Sequence, residues 1–145
     1  METRIELKVN PEADERLAIL RPLQAYNLDQ AGDPEPESIA LLVRDEYTND
    51  VIGGLYGKIF YRWLFIELLA IPEATRGQGI GSRLMEMAEN VAREKRCAGI
   101  WLDTFDFQAP HFYQKHGFTE FGHIDDFPPT HKRFFLQKRL AYQGD

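Results

Sequence analysis

Residues 70–95 read AIPEATRGQGIGSRLMEMAENVAREK, and the fold turns on how this stretch is built. An apolar run ends at Ile71 and Pro72 stops it, after which Gly77, Gly79 and Gly81 take alternate positions. From Ile80 the pattern is helical. Ile80, Leu84, Met87, Ala88, Val91 and Ala92 share one face, and Arg83, Glu86, Glu89, Asn90 and Arg93 cover the other. Arg93, Lys95 and Arg96 suit the negative end of the helix dipole. The order is therefore strand, glycine turn, helix. Three glycines at a helix start carry an entropic cost, and a bound anion would offset it. A helix N-terminus offers free N–H groups and the positive end of a dipole, glycines let an anion approach the backbone, and Arg76 adds a bidentate cation. These residues alone leave open a tight turn with no ligand. The spacing is not G-x-x-x-x-G-K-[ST], and no G-x-G-x-x-G within a βαβαβ array surrounds it, which argues against nucleoside triphosphate and dinucleotide sites.

Working outward, RIELKVN (residues 4–10) alternates Ile5, Leu7 and Val9 against Arg4, Glu6 and Lys8, the period of a strand. Pro11 opens a helical stretch with Leu17, Leu20, Leu23 and Leu28, which Pro22 is expected to kink or split. AGDPEPES is a loop. SIALLVRDE and DVIGGLYGKIFY read as a hairpin across YTND, and Gly53, Gly54 and Gly57 suggest a bulge or a close backbone approach. RWLFIELLAI is a further strand, buried over much of its length. Beyond the central helix, GIWLDTF is a strand and QAPHFYQKHG a short helix with Pro110 near its start and Gly117 as its stop. FTEFGHI and THKRFFLQKRL form an antiparallel pair across DDFPP. The expectation is a single domain over residues 1–145 of the α+β class, with a mixed sheet and helices on its faces.

Composition narrows the function. The chain has 145 residues, 43% of them hydrophobic and 12% aromatic, enough for a real core. A net charge of −6 argues against a nucleic-acid or anionic-membrane binder, whose contacts need clustered Lys and Arg, and weakly favours a cationic substrate. Cys97 is the single cysteine, so no internal disulfide forms, as suits a reducing compartment. It reads as a small core residue and not as a nucleophile. The N-terminus carries no apolar signal core, and no run nears the ~18 apolar residues of a membrane span. A cytoplasmic protein is expected. His111, His116, His123 and His131 form no metal-ligand pattern.

The pattern Arg76-x-x-Gly79-x-Gly81 resembles the acetyl-CoA signature of the GCN5-related N-acetyltransferases (GNAT family). LLAIPEATRGQGIGSRLMEMAENVAREKRC is similar to that family's central strand–loop–helix unit. LDTFDFQAPHFYQKHGFTEFG is similar to its C-terminal unit, where an aromatic–Tyr pair, here Phe112-Tyr113, precedes x-x-x-Gly-Phe, here Gly117-Phe118. The match covers residues 39 to 140 well, and the FQAPHFYQKHGF version resembles a subgroup of small bacterial-type members. The resemblance implies a central, mostly antiparallel sheet of six to seven strands with helices on both faces. It implies acetyl-CoA as cosubstrate, a primary amine as acceptor, most simply on a small molecule, and a homodimer as a frequent family state. No nucleic-acid or membrane partner is expected.

The same resemblance implies roles for residues. Arg76, Gly77, Gln78, Gly79, Ile80, Gly81 and Ser82 would hold the pyrophosphate. Leu69, Ala70 and Ile71 would pair with pantetheine as an added strand, with a backbone N–H near Leu69 facing the oxyanion. Phe107 would touch the CoA arm. Tyr113 would be the acid for the departing thiolate; phenols titrate near ~10 and thiols near ~8.5, so the transfer is mildly uphill. Glu67 is the candidate base, because it interrupts an apolar strand, where burial would raise its pKa. It could instead point outward or pair with Arg62 or another cation, and a water relay can replace it. Asp103 and Asp106 are alternative carboxylates for the base or for a cationic acceptor, and DDFPPTH is a candidate substrate-side loop. A rival is a non-catalytic acyl-CoA binding module of the same fold, and a third reading is a binder of some other phosphate ligand.

Overall fold

The computed structural model describes residues 1–141. The backbone groups into two compact units, Met1–Pro34 and Glu35–Asp145.

In the first unit the expected strand does not form. Residues 1–8 have no regular structure, and Ile5, Leu7 and Val9 are exposed. The reason is that alternation names a face but not a partner, and a strand without a neighbour has nothing to bond its backbone. The helical stretch is one helix, α1 (Ala13–Ala31), with Pro22 inside it. Proline removes one donor and crowds one carbonyl, and here the helix continues through it unsplit. It starts with Glu15 accepting the Glu12 N–H at 2.8 Å and ends where Gly32, at φ 79°, bonds back to Leu28.

The second unit is a six-stranded sheet with two helices. Strand β1 (Glu37–Arg44) pairs with β2 (Val51–Phe60), which pairs with β3 (Trp63–Ala70), all antiparallel. A 3-10 turn (Glu73–Thr75) leads to α2 (Ile80–Glu94) and β4 (Gly99–Phe105). Then come α3 (Pro110–Lys115), β5 (Thr119–Asp125) and β6 (Lys132–Arg139). The strand order is β1-β2-β3-β4-β6-β5, and only β3 and β4 run parallel.

Local chemistry explains the joints. Between β1 and β2, the Asp45 carboxylate accepts the N–H groups of Tyr47 at 2.8 Å and Thr48 at 3.0 Å, which tightens the loop. Between β2 and β3 the chain reverses in two residues, Tyr61 and Arg62, at φ 47° and 63°. Such turns favour Asn-Gly, and here two residues with no turn preference make the reversal between the two strands that the sequence separated at this point. The glycines of β2 do what the sequence suggested. A Cβ on Gly54, at φ 138°, would lie 2.1 Å from the Leu41 carbonyl oxygen, and one on Gly57 would lie 2.9 Å from that of Phe65.

The core lies on the α2 face of the sheet. Leu55, Ile59, Leu64, Ile66, Ile100, Leu102 and Leu136 point into it against Met85, Ala88 and Ala92 of α2. Ala88 and Ala92 are fully covered, and short side chains there let the helix lie close on the strands. Cys97 is buried in the same cluster, and burial pushes its thiol pKa up, which keeps it unreactive.

Gly54→Ala is expected to be strongly destabilising: the backbone strain alone is worth about 1–3 kcal/mol, and the contact with Leu41 adds to it. Gly122→Ala, where an added Cβ meets nothing within 4 Å, should stay within about 0.5 kcal/mol. Urea unfolding of both variants measures the difference.

Candidate active site

The parallel ladder between β3 and β4 has four pairs, from Trp63↔Gly99 to Ile66↔Leu102. There it stops. β3 continues to Ala70 and stays paired with β2, and β4 continues to Phe105 and stays paired with β6. The two strands have parted, each held by its own neighbour. The parting begins at Glu67, the extra residue of a β-bulge, since Tyr56 pairs with Leu68 and Gly57 with Ile66. A bulge shifts the alternation by one, so Leu69 is half-buried while Glu67 and Leu68 are exposed.

The opening is a cleft of ≈ 920 Å³. One wall is β3 from Glu67 to Ala70, followed by Ile71, with no strand partner on this side among the described residues. The other is the end of β4, from Asp103 to Phe105, with Phe107 and Tyr113 beyond it. The floor is the glycine loop, from Thr75 to Ser82. A free strand edge offers N–H and C=O groups to an extended ligand, which is how a peptide-like arm is recognised.

The loop is shaped by its own hydrogen bonds. The Thr75 hydroxyl donates to the Pro72 carbonyl at 3.0 Å, and the Gln78 N–H donates to the Thr75 carbonyl at 3.3 Å. Gly77 and Gly79 then take φ 84° and 76°, and α2 begins. No acidic residue stands in the first turn of α2 and no side chain caps it, so the dipole and the N–H groups there face the cleft uncompensated. The third glycine has a different reason. A Cβ on Gly81 would sit 3.1 Å from the Phe112 ring, so Gly81 lets α3 pack closely on α2. The Ser82 hydroxyl is bonded to His116 Nε2 at 3.1 Å, which ties the same two helices. Arg76 is exposed at the mouth of the loop.

Tyr113 sits in the wall and is 9% exposed, with its ring edge-on to Phe112 and Phe118. Burial, and secondarily the nearby Asp103 carboxylate, raise its pKa above the usual phenol value. The hydroxyl is thus fully protonated at neutral pH. Asp103 is itself gripped by Arg133, Nε to Oδ1 at 3.0 Å and Nη2 to Oδ2 at 2.8 Å. The guanidinium lies over the rings of Phe127 at 4.8 Å and Phe135 at 5.5 Å. Sequence reading missed Arg133: it stands thirty residues from Asp103, and only the β4–β6 pairing brings them together.

Glu67 does line the cleft, but the burial expected for it is absent. The bulge turns it outward, and its partner is Lys58 at 3.2 Å, on the neighbouring strand, rather than Arg62. Arg62 donates instead to the Arg96 carbonyl at 2.9 Å. Phe107 is 59% exposed and stacked on Phe105 with centroids 5.3 Å apart. Among the described residues, no group of His, Cys, Asp or Glu is placed to hold a metal ion, and no helix is long and apolar enough to cross a membrane.

A mixed sheet opened between two parallel strands, with a glycine-rich helix start below the opening, is a site shaped for an extended ligand that carries a phosphate. Comparison with known proteins carries the assignment further. The profile of the Acetyltransferase (GNAT) family matches residues 5–118. An acetyltransferase of Agrobacterium fabrum is 38% identical over 129 residues, 89% of this chain and 93% of that protein. The blasticidin-S acetyltransferase of Streptomyces morookaense is 37% identical over 128 residues, 88% of this chain and 92% of that protein. A crystal structure of an acetyltransferase from Agrobacterium tumefaciens superposes with a TM-score of 0.89 at 36% identity, covering 95% of this chain and all of that one. The chain belongs to the GNAT family and is an acetyl-CoA-dependent N-acetyltransferase.

Because Asp103 is the lesser of the two causes that raise Tyr113, Asp103→Asn should lower the Tyr113 titration midpoint while burial still holds it above ~10. Ultraviolet difference titration of the tyrosine signal follows it.

Proposed function

We propose that this enzyme acetylates the primary amine of a small molecule by direct attack within the cleft, with Tyr113 as the acid. The observation that carries this reading is the placement of the buried phenol on the β4 side of an opening whose other wall is an unpaired strand edge and whose floor is a helix N-terminus. Acetyl-CoA supplies an activated acetyl thioester. Its pyrophosphate suits the N–H groups of Gly77, Gly79, Ile80, Gly81 and Ser82, with Arg76 as the cation beside them and Gln78, whose own N–H donates to Thr75, shaping the loop. Leu69, Ala70 and Ile71 offer backbone groups to the pantetheine arm, and the Leu69 N–H is the donor for the charge that develops on the carbonyl oxygen. Phe107 flanks the thioester end.

Tyr113 gives its proton to the sulfur as the thiol leaves. On the β3 wall, Glu67 is the carboxylate that meets the acceptor's ammonium. A small amine as acceptor is supported by the blasticidin-S and streptothricin acetyltransferases among the relatives. Cytoplasmic placement belongs to the same reading, with one buried free cysteine as its support.

The test is calorimetric acetyl-CoA binding together with thiol release across blasticidin S, streptothricin, spermidine and kanamycin. Binding with amine-dependent release is expected, and binding with no release from any amine would remove the small-amine assignment. Arg76→Ala should weaken acetyl-CoA binding by about 1.5–3 kcal/mol, the worth of a charge-assisted hydrogen bond. Tyr113→Phe should lower kcat by about 10²–10⁴-fold with acetyl-CoA affinity kept. A parent-like kcat in that variant excludes Tyr113 as the acid.

A further inference from the structure

Two residues that this chemistry leaves unused stand together beside Phe107, past the end of the cleft's β4 wall. Asp106 directly follows β4, and His131 closes the loop between β5 and β6. His131 Nδ1 lies 2.9 Å from Asp106 Oδ1, and the other carboxylate oxygen, Oδ2, accepts the Lys132 N–H at 3.0 Å. The Asp106 N–H in turn donates to the Lys132 carbonyl at 3.0 Å. The loop is closed on itself as well: the Phe127 N–H donates to the His131 carbonyl at 3.1 Å, and the His131 N–H donates to that of Pro128 at 2.8 Å. The imidazole is therefore fixed in place from both ends of its chain.

The direction of the hydrogen bond fixes the tautomer. An ionised carboxylate only accepts, so Nδ1 carries the proton and the neutral ring's lone pair lies on Nε2, away from Asp106. The ring sits against Phe107, with centroids 5.0 Å apart and planes at 82°, and Phe107 lines the cleft. The His131 side chain is 43% exposed, so a proton taken at Nε2 can pass on to water. Burial pushes Asp106 up, but the bonds from His131 and the Lys132 N–H outweigh it and hold the carboxyl below its usual range. Three neighbouring charged groups are engaged elsewhere. Arg133 is on Asp103, and Lys132 Nζ and His123 Nε2 lie 3.9 and 3.7 Å from Asp125.

We propose that His131, oriented by Asp106, takes the proton from the acceptor's ammonium before attack, while Glu67 draws that ammonium in from the β3 wall. This rests on the acetyltransferase reading above. The step is balanced: R–NH₃⁺ and neutral imidazole become R–NH₂ and imidazolium, which then returns its proton to solvent. A carboxylate already paired with Lys58 serves to attract a cation, and an imidazole whose other nitrogen is held by Asp106 presents one fixed lone pair to accept a proton.

The test compares His131→Gln, Asp106→Asn and Glu67→Gln in the full chain. The acceptors are spermidine or blasticidin S, whichever the parent turns over faster, and methoxyamine, which is already a free base at neutral pH. His131→Gln should lower kcat with the protonated amine about 10²-fold or more relative to methoxyamine. It should also remove the acid limb of the pH profile. Asp106→Asn, which removes the carboxylate that orients the ring, should slow the protonated amine in the same direction as His131→Gln. Nitrogen-15 NMR of the acetyl-CoA complex should show the proton on Nδ1 of neutral His131. Equal slowing with both acceptors would mean a merely structural role and overturn the proposal. So would an unchanged limb in His131→Gln, a limb lost in Glu67→Gln instead, or a proton found on Nε2. A parent enzyme that releases no thiol with any amine would overturn the underlying transferase reading instead, and acetyl-CoA calorimetry tells the two failures apart.

Discussion

Everything at this site depends on a parallel seam of four residue pairs. From Trp63↔Gly99 to Ile66↔Leu102, β3 and β4 share a ladder, and beyond it each belongs to its own antiparallel group. β1, β2 and β3 make one half, and β4, β6 and β5 make the other. At the closed end, Leu64, Ile66, Ile100 and Leu102 are each at most 4% exposed, so the seam is held by packing as well as by backbone bonds. Past Ile66 the bulge at Glu67 changes the alternation, and no inward pair remains to draw the strands together. The opening requires no separate device. It is where a short ladder ends, kept open because both walls satisfy their remaining backbone groups on their outer sides.

The glycine loop depends on that same geometry. β3 delivers the chain to the open end, and the reversal into α2 has to happen within a few residues, which the positive φ of Gly77 and Gly79 allows. The residue pattern treats the three glycines alike, but their reasons differ. Two serve the turn and leave donors facing the cleft, whereas Gly81 serves the contact of Phe112 with α2. That contact, with the Ser82–His116 bond, sets where α3 lies and hence where Tyr113 enters the wall. The glycine loop and Tyr113 are thus positioned by the same helix contact.

Much of this was legible in the sequence because it is local. The strand–turn–helix of residues 63–94, the amphipathic α2 and the Pro110-to-Gly117 span of α3 are written in short-range periodicity and punctuation. What was not legible depends on partners far along the chain. The alternation of Ile5, Leu7 and Val9 does not say whether a neighbour exists, and none pairs with it. Tyr61 and Arg62 turn the chain without a turn residue, because β2 and β3 over-determine them. The bulge that places Glu67 is a property of the β2–β3 register and is invisible in WLFIELLA. The pairs Asp103–Arg133 and Asp106–His131 follow from β6 lying beside β4, across 25 to 30 residues of chain.

The protonation of the site follows from the same burial. A phenol pushed above its ordinary pKa is a weaker acid, which looks unfavourable for delivering a proton to a thiolate. The comparison that matters is between the two groups in the cleft and not between the cleft and water. Burial disfavours any anion, so a thiolate leaving inside the same walls is also made more basic, as the raised thiol of Cys97 shows for sulfur elsewhere in this core. In the proposed reading the same walls disfavour both anions, so the sign of the transfer is that of ordinary phenols and thiols, with the phenol the weaker acid. Meanwhile the phenol does not ionise at neutral pH, and Asp103, the charge that would otherwise act most strongly on it, is matched by Arg133. A wall that is apolar around Tyr113 and charge-paired beside it keeps the proton on the phenol oxygen at neutral pH.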